Sequence, residues 1–274
     1  PEMFSRPATA AGGSMLGAEL VASGGVVYNP GGGTHHGMAD RANGFCFLND
    51  PVLAIRNLQR LGQDRVAYVD IDAHHCDGVE AALTGEPGIC LISIHEGRRW
   101  PFTGALSEDA RGIAWNLPVG RGLNDTEFAL ILDDLILPVL SSFKPDAIIL
   151  QCGADALFDD PLSRMELSNN ALWSAVASIR RLTQKLLVLG GGGYNPWSVA
   201  RAWTGVWANL SGQTVPDHLP SAARTVLDRL SWSRRAGRTP PEHWVNTLRD
   251  PVRHGRIRDE IKADIATLKR RLTG

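Results

Sequence analysis

Cysteine is scarce in this chain. Four residues, Cys46, Cys76, Cys90 and Cys152, are spread over 274 positions with no C-x-x-C spacing. That argues against a disulfide-stapled scaffold and fits a reduced, cytoplasmic protein. Charge of one sign is equally lacking. The formal net charge is −1, so no whole-chain field draws the protein toward nucleic acid. No apolar run is long enough to cross a bilayer, and no signal-peptide pattern opens the chain. There is no internal repeat, and no low-complexity linker before about residue 211. The chain starts at Pro1 rather than at Met, and a preceding N-terminal piece is therefore expected.

What is present is a set of short, β-rich apolar runs: Val26–Tyr28, Val66–Ile71, Ile89–Ile94, Ala147–Leu150 and Leu186–Leu189. Each ends in polar or glycine-rich residues, and amphipathic stretches lie between them. Asp50-Pro51 suits an N-cap with proline at the first helical position, ahead of Val52–Leu61. Asn124 with Glu127 forms a capping-box pattern ahead of Phe128–Leu140. Ser168 is placed to cap Ala171–Leu182, and Pro196 stands near the start of a helix through Asn209. Apolar strands alternating with helices give an α/β class: a three-layer, mostly parallel sheet flanked by helices.

Composition shifts at Ser221. Arg224, Arg229, Arg234, Arg235, Arg238 and Arg249 are interspersed with few acids, and Lys269-Arg270-Arg271 nearly closes the chain. Trp232, Trp244, Leu248, Ile257 and Ile261 are spaced for packing, which favours a basic helical extension over a nucleic-acid surface. The expected division is residues 1–220 as a catalytic domain and 221–274 as an extension packed on it.

The segment richest in chemistry is Tyr68-Val69-Asp70-Ile71-Asp72-Ala73-His74-His75-Cys76-Asp77-Gly78. Alternation along a strand puts Asp70, Asp72 and His74 on one face. Three such groups at the end of an apolar strand are costly unless bound to metal or hydrogen-bonded. Asp and His also gather at helix N-caps and turns, so this segment alone leaves both readings open. Ala147–Leu150 runs likewise into Asp155, and Leu186–Leu189 into Gly190–Gly193 and Tyr194. Ligands of open parallel sheets bind beyond the carboxyl ends of strands, which lets these remote residues converge. One His and two Asp leave coordination positions free, the layout of a catalytic zinc site, with Fe²⁺ as an alternative. His35 and His36, after a strand and a glycine turn, are placed for proton transfer, with Asp70 and Asp77 as orienting partners. Neither glycine run gives a G-x-x-x-x-G-K-[ST] loop, so phosphate binding is a weak alternative.

Six stretches, PGGGTHHG (30–37), NGFCFLND (43–50), YVDIDAHHCDGVE (68–80), ISIHE (92–96), LQCGAD (150–155) and LGGGGYN (189–195), occur in one order. Together they resemble the histone deacetylase superfamily, most closely its bacterial acetoin-utilisation-type members. The resemblance implies an arginase/deacetylase-type fold and zinc-dependent hydrolysis of an acetylated amine. That substrate is an acetyl-lysine protein or a small acetylated amine such as an acetylpolyamine. It implies Asp72, His74 and Asp155 as metal ligands, His35 and His36 with Asp70 and Asp77 as proton-transfer pairs, and Tyr194 at the substrate carbonyl. Gly44, Phe45, Trp100 and Leu162 match the acyl tunnel. Asp70, Asp72, His74, Ser93 and Ile94 match a structural K⁺ or Na⁺ site.

The chain departs from the family pattern at three places. Cys76 replaces a usual glycine, putting a thiol near the metal and straining the turn. Arg98–Gly104 differs from the common rim sequence. About the first quarter of a full-length member, with its rim acid, is expected to be absent. Two rivals stand beside this reading. One is an arginase-like dimanganese ureohydrolase, disfavoured because no second S-x-D-x-D-x-x-D-P ligand set is present. The other is a non-catalytic acetyl-ligand binder on the same fold.

Overall fold

A computed structural model describes residues 2–235 and 239–272. Six parallel strands form one sheet: β1 (Gly25–Asn29), β2 (Val66–Asp70), β3 (Ile89–Glu96), β4 (Ala114–Val119), β5 (Ala147–Gln151) and β6 (Lys185–Leu189). Their spatial order is β1-β6-β5-β2-β3-β4. All five apolar runs noted above are strands. β4 was not foreseen: Ala-Trp-Asn-Leu-Pro-Val carries Pro118, which the ladder tolerates because β4 lies at the sheet edge.

Alternation along the strands feeds two cores. On one face Ala67, Val69, Ile92, Leu117 and Leu150 pack with α4 (Asp125–Ile131), α5 (Leu137–Phe143), α6 (Asn169–Arg180) and α7 (Pro196–Leu210). On the other, Val66, Tyr68, Leu91, Ile149 and Leu187 pack with α1 (Glu2–Ala22), α2 (Asp50–Arg60) and α3 (Asp77–Leu83). Burying both faces explains why the central strands read as continuous apolar runs.

Helix starts follow local chemistry. Asn124 and Glu127 make the expected capping box, and Pro196 opens α7 with Asn195 as cap. At α2 the cap falls one residue earlier than read: Asn49 Oδ1 accepts from the Val52 amide, because the Asp50 carboxylate is engaged elsewhere. Ser168 stands at the N-cap of α6 but makes no capping bond. Its hydroxyl donates to Asp125 Oδ2 at 2.7 Å instead.

The C-terminal segment is helical at α8 (Ser221–Asp228), α9 (Glu242–Asn246) and α10 (Asp259–Lys269). Ile261, Ile265 and Leu268 of α10 enter the same core as the sheet, and Trp244 packs on Trp197 with ring centroids 5.4 Å apart. Arg258 binds the buried Glu127 carboxylate through Nε and Nη2, each at 2.7 Å. Arg238 lies outside the described residues, as does the side chain of Arg235. No described helix is long and apolar enough to cross a membrane.

Candidate active site

β2 and β5 are hydrogen-bonded neighbours, with Asp70 in register with Gln151. From this pair the chain departs in opposite directions, to β3 and β4 on one side and to β6 on the other, so their carboxyl ends open a crevice. Asp72 and His74 follow β2, and Asp155 follows β5. Their ligand atoms lie within 4.8 Å of one another. The glycine strand-end after β6 closes the group. Gly192 donates its amide to Asp72 Oδ2 at 2.6 Å, and a Cβ on Gly192 would sit 2.0 Å from Asp155 Oδ2. Only glycine lets the backbone come this close.

Two carboxylates buried to 1% exposure or less are costly unless a cation meets them. His74 Nδ1 lies 2.9 Å from Asp155 Oδ2 and 3.3 Å from Asp72 Oδ1. Burial alone would lower the His74 pKa, but hydrogen bonds and charge from Asp155 and Asp72 push it up to about 11. One imidazole nitrogen and two carboxylates converging in this way are a donor set that could hold a divalent metal ion. Among the described residues this is the single converging set of three or more such donors.

Beside it stand two His–carboxylate pairs. His35 Nδ1 is 2.7 Å from Asp70 Oδ2, and His36 Nδ1 is 2.6 Å from Asp77 Oδ1. Carboxylates only accept, so each Nδ1 carries a proton, and a neutral ring is left with Nε2 as its reactive nitrogen. The two rings, 3.9 Å apart, are driven in opposite directions. Burial lowers the His35 pKa, but Asp70 and Asp72 more than reverse this and raise it to about 9. Burial and the neighbouring His35 lower His36 to about 4. His36 lines the cleft; His35 is enclosed behind it.

The cleft occupies about 1470 Å³ and is lined by His36, His74, Gly44, Phe45, Trp100, Leu162 and Tyr194. The sequence-derived tunnel residues thus share one surface with His36 and His74. Trp100 meets His36 edge-on at 4.6 Å between centroids, and Phe45 lies 6.2 Å from Tyr194. Burial, with Asp155, Asp72 and Asp160 nearby, raises the Tyr194 pKa far above its ordinary value, so its hydroxyl stays a donor. Ser93 and Ile94 are buried on β3, with Ser93 in register with Asp70.

Three points depart from the sequence reading. Cys76 has φ −78° and ψ 53°, a backbone any residue adopts, so its turn is unstrained. Its thiol is buried in the cluster with Tyr68, Val79 and Leu91 and reaches the Ser93 hydroxyl. Asp50, read as a cap, instead accepts the amides of Gly33 and Thr34 at 2.9 and 2.7 Å, anchoring the loop that presents both histidines. The cleft also runs on past Arg121 to Arg258, Glu260 and Asp264, so the C-terminal segment supplies part of its wall. Nothing in the basic composition of that segment signals this.

The parallel α/β layers, with metal-competent donors beyond the central strand ends, define an arginase/deacetylase-type protein. A solved HDAC homologue from Aquifex aeolicus superposes with a TM-score of 0.92 at 36% identity, covering 98% of this chain and 74% of that one; the same fold match holds for an HDAC homologue complexed with SAHA. The model of the histone deacetylase domain matches residues 1–210. The chain belongs to the histone deacetylase family. It is 37% identical over 215 residues to the acetoin utilization protein AcuC of Bacillus subtilis (strain 168), covering 73% of this chain and 56% of that relative. It is 36% identical over 220 residues to putative histone deacetylase 2 of Caenorhabditis elegans, covering 78% of this chain and 43% of that relative. The chain thus spans about half the length of these curated relatives.

Proposed function

We propose that this chain is a metal-dependent hydrolase of linear amides that releases acetate from an acetylated amine. The substrate class is acetyl-lysine in a protein or peptide, or a small acetylated amine such as an acetylpolyamine. The observation that carries this reading is the convergence on one cleft of the Asp72–His74–Asp155 donors, the His36–Asp77 pair and the Tyr194 hydroxyl. Zn²⁺ is the proposed metal, with Fe²⁺ as the alternative, and K⁺ or Na⁺ is proposed beside Asp70, Asp72, His74, Ser93 and Ile94. Residues 1–220 are read as the catalytic unit and 221–274 as an extension completing the cleft wall. Free, buried cysteines agree with a cytoplasmic setting.

When bound, a divalent ion at Asp72, His74 and Asp155 supplies Lewis-acid polarisation of the acyl carbonyl and a water acidified toward neutrality. The chain's own residues do the rest. Phe45, Trp100 and Leu162 exclude water from a slender acyl chain. His36 is neutral at pH 7 with Nε2 free, and it accepts the proton of the attacking water. His36 then returns a proton to the leaving amine, while His35, held by Asp70, keeps positive charge beside the carboxylates. Tyr194 donates to the oxygen on which negative charge develops.

The test is acetate release from acetyl-lysine peptides and acetylpolyamines by protein loaded with Zn²⁺ or Fe²⁺. Release that is lost on chelation and restored by metal supports the reading. Metal bound at one ion per chain with no acetate from any substrate overturns it in favour of a non-catalytic binder. The ureohydrolase alternative needs two metal sites, and the single donor set among the described residues argues against it.

A further inference from the structure

The two His–carboxylate pairs are supported unequally. Asp70 is fully buried, and its oxygens are met by the Asp72 amide at 2.9 Å, the Tyr68 hydroxyl at 2.7 Å and His35. Asp77 is 9% exposed and borders a smaller cavity of about 430 Å³, shared with Asn43, Glu80 and Thr84. Its Oδ1 meets His36 Nδ1 and the Gly78 amide at 2.9 Å. Its Oδ2 accepts from one side chain, the Asn43 amide, at 2.9 Å.

Asn43 is itself fixed. Its backbone exchanges two hydrogen bonds with Cys46, at 3.0 and 2.8 Å, across Gly44 and Phe45, both at positive φ (52° and 64°). That is a two-residue hairpin turn of the mirror-image type. The turn touches the proton-transfer pair twice. A Cβ on Gly44 would lie 2.6 Å from His36 Cδ2 and 2.3 Å from Trp100 Cη2, so the Gly44 backbone covers the imidazole while Asn43 holds its carboxylate.

We infer that Asn43 is a positioning residue for the reaction, acting through Asp77 to fix the orientation and tautomer of His36. A neutral amide suits the task. It donates to the carboxylate without a charge that would draw Asp77 away from the imidazole, as Lys or Arg would. The turn also ties this support to the rim, since Phe45, its third residue, is 81% exposed over the cleft.

This inference rests on the hydrolase reading, and a double-mutant cycle with an independent spectroscopic readout separates the two. Asn43→Ala is expected to lower kcat about 10- to 100-fold, the worth of one hydrogen bond to an ionised carboxylate, with KM within about twofold. In an Asp77→Asn background the same change is expected to cost nothing further, whereas a merely structural role gives additive losses. In ¹⁵N-histidine-labelled protein, the Nδ1 proton of His36 is expected to resonate downfield and to move upfield with faster exchange in Asn43→Ala. Additive losses, or an unchanged His36 resonance, overturn the inference. A wild type that releases no acetate while the His36 resonance still responds to Asn43→Ala removes the hydrolase reading and leaves the positioning role standing.

Discussion

Asp50 and Thr34 are joined twice through one oxygen: Asp50 Oδ1 accepts both the Thr34 amide, at 2.7 Å, and the Thr34 hydroxyl. Its carboxylate also takes the Gly33 amide and the Ser14 hydroxyl. A fully buried anion at the start of α2 therefore pins the loop that ends in His35 and His36, and α1 is tied to the same knot.

Asp50→Ala leaves the Gly33 and Thr34 amides and the Ser14 hydroxyl short of an acceptor in the interior, while the Thr34 hydroxyl keeps the Leu48 carbonyl. Unmet buried donors cost about 1–3 kcal/mol each, partly relieved by relaxation, so a loss of about 3 kcal/mol is expected. In thermal unfolding that lowers Tm by roughly 5–10 °C. Asp50→Asn, keeping the acceptor oxygen, is expected to lose less than half as much.

Tyr194→Phe removes the hydroxyl and leaves the ring. The expected result is a fall of roughly 10²–10³ in kcat, the worth of one oxyanion donor, with metal content unchanged by elemental analysis. Near-full activity with metal bound rules out the assigned role.

Asp155→Ala opens the donor set and leaves His74 with one carboxylate. Metal content is expected to drop from about one ion per chain to near none, and acetate release with it. Wild-type protein treated with a chelator should match this variant until Zn²⁺ is restored, with restoration failing in Asp155→Ala.

The four thiols give a pH prediction free of the metal. Burial raises Cys46 and Cys90 from 9.0 to about 12 and puts Cys76 and Cys152 well above 9.0. The folded state thus keeps these protons when the unfolded state has lost them. The stability they contribute is complete below pH 9 and declines as pH climbs from about 9 toward 12. Ellman's reagent at pH 8 is expected to find almost no thiol in native protein and all four after denaturation. Rapid native labelling overturns the assignment of buried, inert cysteines.

Much of this was legible in the sequence, and the gaps have physical causes. Strands buried on both faces announce themselves as apolar runs, and the polar residues just beyond them point to one sheet edge. β4 was hidden by Pro118, a residue that only an edge strand accepts. α1 was hidden by composition. Its buried face is built of small residues, Ala11, Ser14, Gly17 and Ala18, and Gly12, Gly13 and Pro7 blur its period. The donor triad and the histidine loop stood out because they follow strand ends or a glycine turn, whereas Gly44, Phe45, Trp100 and Leu162 came only from the family resemblance. Asp50 was misassigned because a cap gave it a sufficient local explanation, and its true partners lie 16 and 17 residues back. Asn43 was passed over because its partner, Asp77, is 34 residues away. Cys76 was expected to strain a turn whose backbone angles turned out to be ordinary.

The adjacency of β2 and β5 gives the donor set one more property. Asp72 and His74 belong to one central strand end and Asp155 to its neighbour, so a cation held among them is a clasp across the middle of the sheet. Were it bound there, each tenfold rise in free metal above saturation would add about 1.4 kcal/mol against global unfolding, so stability should climb with metal concentration.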